Sequence, residues 1–468
     1  MRNKSANHGL AVLILAAGQG TRMESSQPKV LLSVGGYPML YFLLRQANAL
    51  KPQAIGLVVG HKGDVVREEV QQNIKKWGVV RPLTFVQQKQ TLGSGHAVME
   101  SSSFLKKFQS VLVYCGDTPL LTFETLFSLL KLHQEQKSQI TLLTAKLPNP
   151  KGYGRILRSP MGDVLKIVED AEANSKELAV SEVNSGVYCF ETAALLEVLK
   201  SLTPKGIKRE YYLTDAVELV RSKGGRVTAY LSPNPEEILG VNSKIQLSQV
   251  ERIFNRRGLE RLMLSGVTIV DPTHTYVDAD VEIGQDSVLQ PGTILRGQTK
   301  IGKQCQIGPF VYLENALISN ESEVRMGSCV VDSRVLEKSS VGPFANLRPG
   351  SVVGPRARVG NFTEIKASKI GFGSKVPHLS YVGDADIAEE VNIGAGTITC
   401  NFDGTEKHKT VVGPKVFIGS NVNLVAPVRI GRGAKIGAGS TITEDVPEDS
   451  LAIARSRQVI KSFNHKKK

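Results

Sequence analysis

Several things that would have narrowed this 468-residue chain at once are missing from it. No apolar run reaches 18 residues, so no membrane-spanning helix is expected and no membrane partner is implied. Cysteine is scarce: Cys115, Cys189, Cys305, Cys329 and Cys400 are scattered, with no C-x-x-C pair. That spacing speaks against a structural zinc or a disulfide framework and for a reducing, cytoplasmic setting. The opening MRNKSANHG is polar and lacks the apolar core of a secretory signal. Basic and aromatic residues are not interleaved and no nucleic-acid reader motif occurs, so nucleic acid is not an expected partner. The net charge of +14 then points to small anions such as nucleotides, coenzyme A and sugar phosphates. The closing Lys466, Lys467 and Lys468 read as a solvated tail. A hydrophobic content of 41% is that of an ordinary globular protein, and the length calls for at least two domains.

The richest local string is LAAGQGTRMESSQ, residues 15–27, followed at once by Pro28 and Lys29. The apolar run just before it reads as a buried strand, so a strand feeds a Gly-rich turn that ends in two fixed cations, Arg22 and Lys29. Glycines let backbone N–H groups approach a phosphate, and the cations hold its charge. Met23 stands where a dinucleotide fingerprint needs Gly or Ala, and the Gly-Lys-Ser/Thr of a Walker A loop is absent. Gly18-x-Gly20 alone would mark no more than a tight turn. The full string resembles the signature of sugar-1-phosphate nucleotidylyltransferases.

The two halves differ in period. Up to about Val241, strand-like runs at 54–59, 110–114, 139–145 and 185–190 alternate with amphipathic stretches such as 38–49 and 123–133. That alternation predicts an α/β domain with a mostly parallel sheet, whose ligands sit at the carboxyl ends of the strands. The turn at Gly18, Asp117 and Asn242 would share that edge. A polar stretch, 243–264, reads as a linking helix with Gly258 a break. Beyond it aliphatic residues recur every six positions: Val277, Ile283, Leu289, Leu295, Ile301, Ile307 and Leu313, then Val341 to Ile365, then Val412 to Ile442. Period six fits neither an α-helix nor a two-residue strand repeat; it is the hexapeptide pattern of a β-helix. The expected divisions are 1–242, 243–264 and 265–468. The period slips over 369–390. It breaks at NFDGTEKHKT, residues 401–410, whose polar side chains cannot fill a narrow apolar core and should loop outward.

Further strings are LGSGHA (92–97), GDTPL (116–120), GYGRI (152–156), IVEDAE (167–172), EVNSGVY (182–188), EYYLTD (210–215) and GVNSKIQL (240–247). The tail adds GPFANLRPG (342–350), GNFTEIK (360–366), HLSYVGDA (378–385) and NIGAGTITCNFDG (392–404). From about residue 10 to 455 the chain resembles the bacterial bifunctional N-acetylglucosamine-1-phosphate uridylyltransferase/glucosamine-1-phosphate N-acetyltransferase family. The resemblance implies a Rossmann-like nucleotidyltransferase domain followed by a left-handed parallel β-helix of hexapeptide repeats. It implies acetyl transfer to glucosamine-1-phosphate, then uridylyl transfer from UTP, giving UDP-N-acetylglucosamine for peptidoglycan and lipopolysaccharide. It also implies a homotrimer with acetyl-transfer sites between neighbouring β-helices.

Nucleotidyl transfer brings two anions together and builds charge on leaving pyrophosphate, so it needs cations, N–H donors and a divalent metal. Magnesium keeps several waters, so one or two oxygen ligands suffice for each of one or two ions. Asp117 and Asn242 are the candidates and match the family's metal positions. Taken singly, Asp117 reads equally as a strand-end turn residue and Asn242 as a helix N-cap. The resemblance further implies that Leu15, Ala16, Ala17 and Gly18 bracket the uridine, and that Arg22 and Lys29 grip the triphosphate. It assigns Gln88, Gly93 and Ser94 to the uracil, and Gly154, Glu169 and Asn184 to the sugar. Cys115 stands where the family often has Tyr, with Tyr114 one position earlier, and Ser94 replaces the usual Thr.

Acetyl transfer needs a neutral amine and hence a base, for which histidine has the best-placed pKa. A lone histidine is more often structural; the HLSYVGDA context makes His378 the candidate. The resemblance gives Glu364 the orienting of the His378 ring. It gives glucosamine-1-phosphate to Arg348, Lys366, Tyr381 and Asn392, with Lys407 of the extruded loop adding charge. Acetyl-CoA falls to Ala395, Asn401, Phe402, Ser420, Ala438 and Arg455. Phe402 replaces a common Tyr, and Pro377 a common Gly beside the base. A single-activity nucleotidylyltransferase with a structural β-helix would have lost His378, Lys366 and Asn392. A non-catalytic scaffold would have lost Arg22, Lys29 or Asp117. All six are present.

Overall fold

The computed structural model describes residues 9–206 and 209–462. Lys466 to Lys468 lie outside the described residues. The chain divides into two compact units, Met1–Phe254 and Asn255–Lys468.

The first unit is built on a mixed sheet. Its main strand order is Val227–Leu231, Ile140–Lys146, Glu182–Glu191, Ser110–Cys115, Leu10–Leu15, Ala54–Val59 and Leu83–Gln87. All neighbours run parallel except at Glu182–Glu191, which is antiparallel to both strands it touches. The central strands read as unbroken apolar runs because both sheet faces are covered. Along Leu10–Leu15 the side chains alternate between two cores: Val12 and Ile14 pack into one, Ala11 and Leu13 into the other. Register pairs Leu15 with both Val58 and Cys115, so the Gly18 turn and Asp117 leave the sheet at one edge.

The helix Lys244–Leu264 runs without interruption through Gly258, where a Cβ would meet open space. The expected break is absent. A glycine inside a helix costs only about 1 kcal/mol, and buried Leu259 and Leu262 anchor the turns beyond it.

The second unit is three parallel ladders of 11, 10 and 9 short strands among the described residues. They are the faces of the expected left-handed parallel β-helix. The first face begins at Thr268–Ile269, the second at Tyr276–Val277 and the third at Glu282–Ile283. Most strands send one aliphatic side chain inward, with Thr399 in that place at Ile398–Cys400, and Leu289, Leu347, Ile365 and Ile418 all lie in one continuous core. Small buried hydroxyls line the corners: Ser287 and Ser339 donate to the carbonyls of Gly302 and Gly354 at 2.7 Å, so the turns carry no unpaired hydroxyl there.

Successive coils stack so closely that some inner positions admit no side chain. A Cβ on Gly360 would lie 1.8 Å from the Pro377 carbonyl oxygen of the next coil. The period slip after residue 369 is a coil of seventeen: Val352 pairs with Lys369 and Lys369 with Asp386, whereas Val288 pairs with Gln306, eighteen on. The segment after Asn401 leaves the solenoid. Ala385 pairs with Thr410, twenty-five residues on, and the excursion closes on itself through a Phe402–Lys407 bridge. Among the described residues no helix is long and apolar enough to cross a membrane.

Candidate active sites

In the first unit the edge where the strands end opens into a cavity of about 360 Å³. Leu15, Ala16, Ala17 and Gly18 form one wall, and Gln88, Gly93 and Ser94 another. Lys29 and Asp117 meet at its floor. Gly20 has a left-handed φ of 61°, and a Cβ there would touch Lys29 Cβ at 3.0 Å; the turn needs glycine to fold onto the lysine. Above Gly18 a Cβ would meet nothing within 4 Å, which leaves ligand-sized room over its backbone.

The Lys29 ammonium donates to Asp117 Oδ2 at 2.5 Å and to Asn242 Oδ1 at 3.1 Å. Two side-chain oxygens, Asp117 just past the strand Ser110–Cys115 and Asn242 just before the helix Lys244–Leu264, therefore converge on one cationic point. The backbone fixes them together, because Val241 N donates to the Asp117 carbonyl at 2.9 Å. No cluster of three or more His, Cys, Asp or Glu exists among the described residues. The pair suits a hydrated oxygen-seeking cation, not a fully protein-caged one.

Gln88 is buried, and its Nε2 donates to the Gly93 carbonyl at 3.2 Å, which ties the two together. Ser94 Oγ accepts from Leu213 N at 3.2 Å. Arg22 lies exposed in the single turn Thr21–Met23 and is not part of the cavity lining.

Gly154, Glu169 and Asn184 also lie outside that lining and form their own group. Asn184 N donates to the Gly154 carbonyl at 2.8 Å, and its amide donates to the buried Tyr188 hydroxyl at 2.7 Å. A register shift between Asn184 and Tyr188 turns the strand here and brings Gly186 against Cys115, whose Sγ lies 3.3 Å from a Cβ built on Gly186. Glu169 accepts from the Thr214 hydroxyl at 2.8 Å. Burial pushes the Glu169 carboxyl above its ordinary range, with Glu172, Asp215 and Glu210 adding to the shift against the pull of Thr214.

Cys115 lines the cavity, and burial, reinforced by Asp117, raises its thiol to about 12, so it stays protonated. Tyr114 does not stand in for the tyrosine common at position 115. Adjacent strand residues face opposite ways, and its hydroxyl donates to the Leu43 carbonyl at 3.0 Å inside the core.

On the β-helix, register brings distant residues into columns. Glu364 pairs with Tyr381 on the second face, and Lys366, two residues on from Glu364, follows Arg348 by one coil. Arg348 Nη1 donates to Glu364 Oε1 at 3.0 Å. Lys366 Nζ donates to both Asp384 oxygens at 3.0 and 2.8 Å, and the Asn401 amide donates to the same carboxylate. Lys407 stands close enough to Lys366 to be held below its ordinary range by that neighbour, with Arg348 adding to the effect. Three cations, Arg348, Lys366 and Lys407, and two carboxylates, Glu364 and Asp384, thus crowd one face.

His378 closes this face at the corner, exposed, with Nδ1 2.8 Å from Asn361 Oδ1. Glu364 does not orient it as expected, because the Arg348 guanidinium holds that carboxylate. An oxygen partner at Nδ1 leaves the Nε2 lone pair free, the arrangement a base requires. Asn392 pairs with Lys375, three residues before His378, on the first face.

Ala395, Ser420 and Ala438 each follow a paired isoleucine, Ile393, Ile418 and Ile436, by two residues, and so stack at one corner. Backbone bonds Asn421 N to Ala395 O and Gly439 N to Ser420 O, 2.7 and 2.8 Å, link the column. The Arg455 guanidinium reaches back to the Ala438 carbonyl at 2.7 Å. Phe402 is exposed on the extruded loop.

Sequence reasoning gave no role to Gln19, Thr91, Glu210, Asn361 or Asp384. Gln19 Nε2 bonds Thr91 Oγ1 at 3.2 Å across the mouth of the cavity, and Glu210 lines it. Glu210, Asn361 and Asp384 all stand inside strings that carried the resemblance; the role of Asn361 emerges from its register opposite His378.

Residues 11–234 match the nucleotidyl transferase family, residues 272–370 the GMPPB C-terminal domain, and residues 409–444 the bacterial transferase hexapeptide repeats. Curated relatives match almost end to end. A Bifunctional protein GlmU of Brevibacillus brevis is 47% identical over 96% of this chain and 95% of its own. One of Caldanaerobacter subterraneus is 48% identical over 97% and 96%, and one of Halalkalibacterium halodurans 46% over 97% and 98%.

Proposed function

The chain belongs to the GlmU family of bifunctional proteins, and on that premise we propose how its residues divide the synthesis of UDP-N-acetylglucosamine. The observation that carries the reading is the convergence of the Gly18 turn, Lys29 and Asp117 on one cavity, with a separate cationic cluster of Arg348, Lys366 and Lys407 on the β-helix.

In the first unit, Leu15 to Gly18, Gln88, Gly93 and Ser94 hold the uridine. Lys29 and Arg22 offset the charge of the triphosphate. The sugar end of N-acetylglucosamine-1-phosphate rests on Gly154, Glu169 and Asn184. Its phosphate oxygen attacks the α-phosphorus, the α–β bridging bond breaks, and pyrophosphate leaves with the electron pair. Asp117 and Asn242 would hold magnesium, which when bound neutralises charge on the phosphates. Lys29 sits where it can serve both that pair and the phosphates.

In the second unit, His378 Nε2 takes a proton from the amine of glucosamine-1-phosphate. The nitrogen attacks the thioester carbonyl of acetyl-CoA, the C–S bond breaks, and the coenzyme thiolate is protonated. Arg348, Lys366 and Lys407 bind the sugar phosphate, and Tyr381 and Asn392 its ring. The corner column of Ala395, Ser420 and Ala438, with Asn401, Phe402 and Arg455, takes the coenzyme.

A homotrimer completes the reading. Phe310, Phe344, Phe362 and Leu379 lie at one corner of the coils, with Gly327 between the first two, and are 70, 45, 59 and 62% exposed, an apolar ridge suited to a second copy. The working compartment is the reducing cytoplasm, in keeping with five free cysteines.

The test assays both activities on two variants. Asp117→Ala should lower uridylyl transfer by about 10³-fold and spare acetylation. His378→Ala should lower acetylation by about 10²–10⁴-fold and spare uridylyl transfer. Equal damage to both activities by either variant defeats the two-site assignment.

A further inference from the structure

Asp384 stands where the 401–410 excursion is rooted, in the corner between the second and third faces. Its φ of 49° is left-handed, a conformation that aspartate tolerates better than most residues. Its backbone N donates to the Lys366 carbonyl at 2.9 Å. Its own carbonyl accepts from Thr410 N at 3.3 Å, where the chain re-enters the solenoid. Its carboxylate accepts from the Asn401 amide, where the chain leaves, and from Lys366 Nζ at 2.8 and 3.0 Å. One side chain therefore grips both the central cation of the sugar-phosphate face and the stem of the loop that carries Phe402 and Lys407.

We propose that Asp384 is a positioning residue that couples the two substrate subsites of acetyl transfer, aiming Lys366 at the sugar phosphate while fixing Asn401 and its loop for acetyl-CoA. The inference rests on the reading of Lys366 and Asn401 given above. Lys366 has three ammonium protons and Asp384 engages part of that capacity, so the ammonium can hold its place and still donate to an incoming phosphate. Without the carboxylate, Lys366 and Lys407 would repel one another with no anion between them, and the loop stem would lose its side-chain tie. The charge balance is visible in the protonation of the cluster. The Asp384 hydrogen bond raises Lys366 above its ordinary range, while Lys366 lowers Lys407. The groups facing Lys366 are Asp384, Lys407 and Tyr381, with Arg348 beside Lys407.

The test uses the full chain carrying Asp384→Asn, which keeps the shape and removes the charge. KM should rise about tenfold for both glucosamine-1-phosphate and acetyl-CoA, with kcat changed less. The alkaline limb of kcat/KM for glucosamine-1-phosphate should move to lower pH, because Lys366 loses the anion that holds its proton. Asp384→Glu restores the charge and should return that limb toward its original position. Hydrogen exchange across the β-helix of the same preparations reports that the solenoid is folded. A rise in KM for one substrate alone, or an unmoved alkaline limb, overturns the coupling. Lys366→Ala separates the premises. If it leaves KM for glucosamine-1-phosphate unchanged, the reading of the site fails and the inference with it. If it raises that KM while Asp384→Asn is silent, only the coupling fails.

Discussion

The two units place functional residues by opposite means. In the first, Gly18, Lys29, Gln88, Asp117 and Asn242 come from separate loops and meet because parallel strands end at one edge. Their spacing along the chain follows no rule. In the second, Arg348 and Lys366, or Ala395, Ser420 and Ala438, meet because each is the next coil's copy of the last. A sheet edge gathers unlike residues around a hollow, and a solenoid lays similar positions along a line. The first arrangement suits a ligand enclosed on several sides; the second suits a long molecule laid across successive coils.

This contrast can be broken by crowding one coil. Gly360→Ala pushes a methyl group into the Pro377 carbonyl, directly before His378. Acetylation should fall by about 10²-fold through displacement of the base, with uridylyl transfer unchanged when both are assayed on one preparation. Equal loss of both activities would mean that damage is not confined to the stacked coils.

Core truncation sharpens the comparison. Leu347→Ala in the solenoid and Leu13→Ala in the sheet each remove a fully buried leucine. Each should cost about 2–5 kcal/mol by denaturant unfolding. Hydrogen exchange should show the Leu347 lesion spreading mainly to neighbouring coils, since solenoid contacts are between adjacent repeats.

A smaller effect distinguishes two carboxylates by sign. Burial raises Glu169 above its ordinary 4.5, so its contribution is fully present below that pH and is lost as pH rises through the folded value. Burial also pulls Asp384 upward, but Lys366 and Asn401 outweigh it and hold the carboxyl below its ordinary 3.8. Its contribution is present above that pH and is lost as pH falls through the lower folded value. Relative to the parent, Glu169→Gln should therefore gain stability as pH rises from the ordinary glutamate range. Asp384→Asn should lose ground as pH rises toward the ordinary aspartate range. Melting curves from about pH 3 to about pH 7, which bracket the ordinary carboxylate range, test both signs. The smallest change is Phe402→Tyr, which restores a hydroxyl on an exposed ring and should alter KM for acetyl-CoA by less than about twofold.

The solenoid was readable from the sequence alone because its rule is local: one inward aliphatic residue for every six. The outward course expected for residues 401–410 followed from polarity for 402–409, while Asn401 and Thr410 at its ends are buried against the solenoid. The partner of His378 was not readable, because Asn361 lies seventeen residues away and the pairing depends on a coil one residue short of eighteen. Nor was the face chosen by Tyr114, since its neighbours are apolar on both sides of the strand. Gly258 misled because helix propensity is weak beside the packing of Leu259 and Leu262. Around Asp117 the strings supplied the residues, but only the fold reveals that Lys29 bridges Asp117 and Asn242.

The coil that carries the excursion is seven residues longer than an eighteen-residue coil, yet Thr410 to Val412 resume pairing with Ala385 to Ile387 as though nothing had intervened. The solenoid treats the insertion as a parenthesis: grammar on either side is unaffected by what is placed within. New chemistry can be written into one turn and revised there without rewriting the turns above and below.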